Sequence, residues 1–289
     1  MSGPFRKAIS IVSDTFHTGS ERKEILSIEL SLDGFSFAII DVQSYRYVMV
    51  ESYKVNDALA PNQLFTEFEK HIKNIPLLFG PFEKVNIAWY HPHFVLVPES
   101  LFQHSAKDTL FRFCSEIPAF YQLKAEKLNN LGAFGIYPVH EHLQQKLGII
   151  YPGHKLRHTA TVLIESILAS ITLGQQSADV VLHFGSGHFE VVLLRGPSLI
   201  FYNSFAWQTF DDLIYFLFYV LEQFKLDAAN MEALVAGNIS LDSEKFELLV
   251  SYFNKVNFFE RSNAYRFGPE FDNLPHHYFH NLINLNACG

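Results

Sequence analysis

Ile28-Glu29-Leu30-Ser31-Leu32-Asp33-Gly34-Phe35-Ser36-Phe37-Ala38-Ile39-Ile40 and Val180-Val181-Leu182-His183-Phe184-Gly185-Ser186-Gly187-His188-Phe189-Glu190-Val191-Val192-Leu193 read alike. Each is an apolar strand, a tight turn and a second apolar strand, with Asp33-Gly34 supplying the positive φ that a hairpin turn needs. In each half the hairpin leads on to a helix, a strand and another helix. One chain that repeats such a unit is expected to form a duplicated α/β domain, two lobes facing a common cleft.

Outward from the first hairpin, Ile25 to Leu32 and Phe35 to Asp41 are its strands and Tyr45 to Val55 is a third. Pro61 suits the first turn of a helix, where no N–H is missed, and Leu64, Phe65, Phe68 and Ile72 give that helix one apolar face. Val85 to Trp89 and Phe94 to Val97 read as short strands around His91-Pro92-His93. Ser105, with Asp108 three residues on, is expected to cap a helix carrying Leu110, Phe111 and Cys114. In the second half Val180 to Phe184, Phe189 to Leu194 and Ser198 to Asn203 are strands, and Thr209 with Asp212 opens a helix ending near Phe224. A strand at Ala233 to Ala236 follows, then a helix capped by Asp242 and a last strand at Val256 to Phe259. The expected organisation is an N-terminal extension (1–24), a first lobe (25–132), inter-lobe strand and helices (133–177), a second lobe (178–264) and a C-terminal segment (265–289).

The 289 residues suffice for two lobes, and 48% hydrophobic with 18% charged residues is a globular composition. A net charge of −8 without a basic stripe disfavours nucleic acid and anionic membrane. With only Cys114 and Cys288 there is no disulfide framework, and Met1 to Ser20 has no apolar leader, so the expected compartment is the cytoplasm. The run Leu213 to Leu221 is too short to span a membrane and reads as a helix apolar all round, buried between layers. Aromatic residues, 29 Phe and 13 Tyr, exceed what a core requires, which points to a protein partner or self-association. The C-terminal Phe267, Phe271, Tyr278 and Phe279 are the first candidates for such a surface, the alternative being that they staple the tail onto one lobe.

The duplicated layout resembles the actin-like ATPase superfamily, whose lobes are ribonuclease H-like. More narrowly, His93-Phe94-Val95-Leu96-Val97-Pro98-Glu99-Ser100-Leu101-Phe102, Lys155-Leu156-Arg157-His158 before a helix, and the Asn286-Ala287-Cys288 ending resemble an uncharacterised bacterial family, domain of unknown function 3822. The resemblance implies two lobes with mixed five-stranded sheets around a central cleft. It also implies ATP with magnesium as the ligand, held by an acid, glycines and hydroxyls at the two turns and by glycines after a later strand.

At those positions the chain has Glu29 and Ser31 in the first motif, Gly185, Ser186 and Gly187 in the second, and Gly237 in the third. The first-motif glycine is replaced, His183 stands where a hard cation prefers a carboxylate, and Ala236-Gly237-Asn238 has a single glycine. Backbone N–H groups of Gly185, Ser186 and Gly187 would still form a phosphate nest, although the same residues serve equally as a hairpin turn. No helix follows the glycines, which excludes a dinucleotide fingerprint and a hydrolase elbow at Ser186. The expectation is a non-catalytic binding or scaffold component, resembling the actin-like subunits of type IV pilus and type II secretion machines. The alternative is a nucleotide-binding ATPase or kinase. His91 with His93, His140 with His142, and His276, His277 and His280 form local clusters, but none has the pattern of a catalytic zinc site, and no metal is expected.

Overall fold

The two hairpins lie in different sheets of the computed structural model, which describes residues 4–14, 16, 23–56 and 59–287. The first sheet comprises β1 (Phe5–Val12), β2 (Glu24–Ser31), β3 (Gly34–Asp41), β4 (Arg46–Val55), β5 (Lys84–Trp89) and β9 (Lys155–His158), in the order β1-β4-β3-β2-β5-β9. The second comprises β10 (Val180–Phe184), β11 (His188–Arg195), β12 (Ser198–Ala206), β13 (Glu232–Gly237) and β14 (Lys255–Phe258), in the order β12-β11-β10-β13-β14. Without β1 the two orders correspond strand for strand: an antiparallel meander, then two strands added in parallel. The N-terminal extension thus contributes a sixth strand to the first sheet, antiparallel to β4.

Between β5 and β9 the chain builds a small third sheet from β6 (Val95–Pro98), β7 (Tyr121–Leu128) and β8 (Ala133–His140). The stretch 133–177 is therefore divided, with β8 in this small sheet and β9 closing the first. The helices follow from their apolar faces. In α1 (Pro61–Lys73) the side chains of Leu64, Phe65, Phe68 and Ile72 are buried, and with Leu143 and Leu147 of α3 (Glu141–Ile150) they cover one face of the first sheet. α5 (Phe210–Gln223) and α6 (Glu244–Tyr252) cover one face of the second sheet, and α4 (Thr159–Thr172) covers the other.

Three local expectations are corrected. A helix apolar all round does not form at 213–221: α5 buries Leu213, Leu217, Val220 and Leu221, but Tyr215 and Tyr219 are 64% and 51% exposed and stack on each other along its outer side. Ser105 lies within a single 3-10 turn, so α2 (Lys107–Arg112) starts after Ala106 without a side-chain cap and leaves Cys114 exposed beyond its end. Ser243 rather than Asp242 caps α6, because its hydroxyl accepts from the Phe246 N–H. The Thr209–Asp212 capping box forms as expected.

The C-terminal segment is built into the molecule. Phe271 is fully buried, and Phe267, Tyr278 and Phe279 are partly buried against the face of the first sheet opposite α1, with Ala38, Ile40, Tyr47 and Val50. Tyr47 Oη donates to the Ile283 carbonyl at 2.5 Å, and its backbone N–H donates to Arg266. These four aromatics thus staple the tail to the first lobe, Phe271 wholly and the other three in part. Cys288 lies outside the described residues.

Candidate functional site

Both hairpin turns face one cavity of about 320 Å³ between the lobes. Glu29, Ser31, Asp33 and Gly34 reach it from the first sheet; His183, Gly185, Ser186, His188, Glu190 and Gly237 reach it from the second. Five of the six sequence-predicted site residues therefore share this space, and Gly187 does not line it. Two glycines are dictated by close approach. A Cβ on Gly185 would lie 2.0 Å from the His188 ring, and one on Gly237, at φ +86°, would lie 2.2 Å from the Phe184 carbonyl oxygen.

Several of the groups that would hold phosphate in this position are engaged with the chain itself. Gly185 N–H donates to the His188 carbonyl at 3.0 Å, Gly237 N–H to His277 at 2.9 Å and Asn238 N–H to Phe184 at 2.7 Å. Ser31 Oγ accepts from the Asp33 N–H at 3.1 Å. Tyr90, just beyond β5, stacks on His188 of the opposite lobe with ring centres 3.7 Å apart and shares a 2.9 Å hydrogen bond with Ser204 of β12.

The residue that sequence reading missed is Glu190. It stands opposite His183 in the β10–β11 register and is fully buried, with one oxygen 2.7 Å from His183 Nδ1 and the other accepting from Tyr202 Oη at 2.6 Å. Burial opposes its charge, but the His183 hydrogen bond and imidazolium, with Tyr202, hold its pKa down at about 2. Burial likewise opposes the charge on His183, yet the bond to Glu190 and the charges of Glu190 and Glu29 raise it above its ordinary value. The site thus contains a compensated ion pair where a lone histidine was expected. The signal was available, since pairing Phe184 with Phe189 across the turn places His183 beside Glu190.

Glu29 is less well compensated. It is deeply set on β2, keeps partial access through the cavity, and burial raises its pKa to about 6 against the lowering effect of His183. The tail supplies part of its environment: α7 (His280–Asn284) presents the Leu282 N–H and the Asn281 side chain toward it. His280, buried beside them, is 2.8 Å from Ser166 Oγ of α4.

The other histidine clusters have local roles. His91, His140 and His158 each accept a backbone N–H two residues ahead, those of His93, His142 and Ala160. His276 meets Glu260 at 2.8 Å, and His277 meets the Ile239 carbonyl at 2.6 Å. Among the described residues no three His, Cys, Asp or Glu side chains converge as a metal site.

These buried histidines carry a pH prediction. Burial lowers His91 and His280 to about 3 and His158 to about 4, so the stability they confer is present above the unfolded value of 6.5 and is lost as pH falls toward those values. Glu29, raised to about 6, and Glu126, raised by burial to about 7, act oppositely: folding favours their protonated forms, and that contribution is lost as pH rises through those values. Three histidines outnumber two carboxyls, and each excess proton on the unfolded chain is worth roughly tenfold in the folding constant per pH unit. The melting temperature is expected to decline below about pH 6 and most steeply below pH 4.5, the model carboxylate value, where the two carboxyls no longer oppose the histidines. Thermal melts across that range check it; a melting temperature unchanged down to about pH 4 contradicts it.

Two matched sheets of this strand order, joined by α4 and flanking a cleft, define the actin-like ATPase fold. A protein from Bacteroides thetaiotaomicron VPI-5482 with that fold and unknown function is similar over 82% of this chain and 91% of its own, at 22% identity and a TM-score of 0.71. The PilM–PilN type IV pilus biogenesis complex provides a second similar chain, covering 92% of this one and 98% of its own, at 13% identity and a TM-score of 0.64. No curated protein matches the sequence significantly. The chain belongs to the family described as protein of unknown function (DUF3822), whose sequence pattern matches residues 13–256.

Proposed function

We propose that this protein is a non-catalytic binding or scaffold component in which the actin-like cleft no longer serves nucleotide hydrolysis. The observation that carries this reading is the internal use of the phosphate-holding groups: the Gly185 and Gly237 N–H groups are bonded within the chain, and both oxygens of Glu190 are taken by His183 and Tyr202. A hard cation prefers several converging carboxylate or water oxygens; of the carboxylates lining the cavity Glu190 is engaged by His183 and Tyr202, and burial disfavours the charged forms of Glu29 and Asp33. The stacked Tyr90 and His188 join the lobes where a bound phosphate would otherwise bridge them. A protein partner accords with the similar PilM chain, whose structure is a complex with PilN. The partner-binding role is proposed for the cytoplasm on the composition, whose two cysteines supply no disulfide framework. No helix among the described residues is long and apolar enough to cross a membrane.

The second reading, a nucleotide-dependent ATPase or kinase, draws on the cavity that remains between the two turns. Thermal shift with ATP and magnesium, followed by a phosphate-release assay, separates the two. The expected result is no shift and no release. A stabilisation that disappears in Glu29→Ala, accompanied by turnover, would establish the enzyme instead.

A further inference from the structure

Three polar groups at the base of the cleft lack a full set of partners. Asn281 is 1% exposed and neither its amide nitrogen nor its amide oxygen closes a hydrogen bond of sound geometry, although its side chain faces Glu29. Thr159 is equally buried, and its hydroxyl, at the start of α4, has no partner among the described residues. Both line the cavity, as does the Glu29 carboxylate. Buried polar atoms are ordinarily hydrogen-bonded, so two such side chains on one cavity wall mark a place for a ligand atom.

The charge of the site selects the ligand. His183 and Glu190 offset each other; His280 and His188 are kept neutral by burial, and the Tyr90 and Tyr278 phenols are held in their protonated form. Asp33 and Lys54 stand at the mouth, where their charges are opposite. Ionised Glu29 is therefore the uncompensated charge of the interior, and it is negative. The Asn281 carbonyl and the Thr159 hydroxyl, on residues that line the same cavity, are acceptors suited to a cation's N–H donors.

We infer that the base of the cleft receives a primary ammonium group, carried by a small aliphatic amine or by the lysine side chain of a protein partner. An ammonium has three N–H donors, Glu29, Asn281 and Thr159 carry acceptor oxygens among the residues lining the cavity, and its charge balances the carboxylate without a metal. This deepens the reading of the cleft as a binding site and rests on it, since a site tuned for a cation is unsuited to a polyphosphate.

Calorimetric titration at about pH 7.5 tests it with cadaverine and with an acetyl-Ala-Lys-Ala-amide peptide. Tetramethylammonium, which has no N–H donor, and potassium chloride at matched ionic strength are the controls. Binding of either amine but not the controls is expected, weakened about tenfold or more in Glu29→Gln and in Thr159→Val, as loss of a charge-assisted bond implies. Affinity should rise as pH rises through about 6, where Glu29 gives up its proton. Glu29→Gln removes a buried charge and so should melt no lower than the parent near neutral pH, which separates lost binding from lost folding. Binding of the peptide alone assigns the site to a protein lysine, and binding of cadaverine alone assigns it to a free amine. The inference is overturned if neither amine binds, if Glu29→Gln binds equally well, or if potassium competes as strongly as the amines. Failure of the amines leaves the non-catalytic reading intact, whereas stabilisation by ATP and magnesium overturns both.

Discussion

A chain ending at Phe259 does not reach a folded state. The tail beyond that point contributes Phe271, Leu274, Leu282, Ile283 and Leu285, each no more than 4% exposed. Full burial of one such side chain stabilises by about 1.5–3 kcal/mol, so the five together approach the entire net stability of an ordinary domain, about 5–15 kcal/mol. Their removal also exposes Ala38, Ile40, Tyr47 and Val50 on the first sheet and leaves the Tyr47 hydroxyl without its acceptor. The family match ends at residue 256, before this segment, so truncation there tests whether the matched region is self-sufficient. Circular dichroism and gel filtration of the truncated chain should show an expanded or aggregated species. A cooperative melt within a few degrees of the full chain would show that the tail is dispensable.

Glu190→Ala is the point change with the largest expected effect. It leaves the buried His183 without its hydrogen-bonded counter-charge and Tyr202 without an acceptor, a class of change that costs about 3–5 kcal/mol. For a chain of this size that is a fall of roughly 10 °C in melting temperature. The double substitution His183→Phe with Glu190→Leu removes both charges and should be milder than Glu190→Ala, since the pair itself is costly to desolvate. The pH dependence is also defined. The contribution of Glu190 is present above its ordinary value of 4.5 and fades as pH falls toward about 2, while that of His183 is complete below 6.5 and fades as pH rises through its raised value. Parent and Glu190→Ala should therefore differ most between those limits and converge at both extremes. Equal melting of the two proteins near neutral pH would show that the pair contributes nothing to stability.

The architecture was legible because its signals are local and repeated. Two apolar–turn–apolar runs specify two hairpins, and the Pro61 start and the Thr209–Asp212 box specify the helices that follow. What was not legible depends on long-range packing. Tyr215 and Tyr219 are apolar enough to suggest burial, but the sheet beneath α5 covers one side of a helix and no second layer closes over the other. Ser243 competes with Asp242 one residue away, and a cap is decided by backbone geometry that composition does not contain. Glu29, Ser31, Gly185, Ser186 and Gly237, picked from motif positions, line the cavity because each lies at or near the end of a central strand of its sheet. Asn281, Thr159 and His280 come from distant segments and enter through the path of the tail, which has too little periodicity to place it. Glu190 was overlooked as one more polar residue on a strand, although strand register alone set it against His183.

The route of the tail has a consequence for biosynthesis. Tyr47 and its acceptor Ile283 are 236 residues apart, so the inner face of the first lobe is completed by residues made only after the second lobe. Domains generally fold on emergence, N-terminal first, but this lobe must wait on the ribosome with its apolar face bare while the whole second lobe is synthesised. The nascent chain thus carries this apolar face uncovered until residues 271–285 have been made, so the first lobe is completed only after the second has been synthesised.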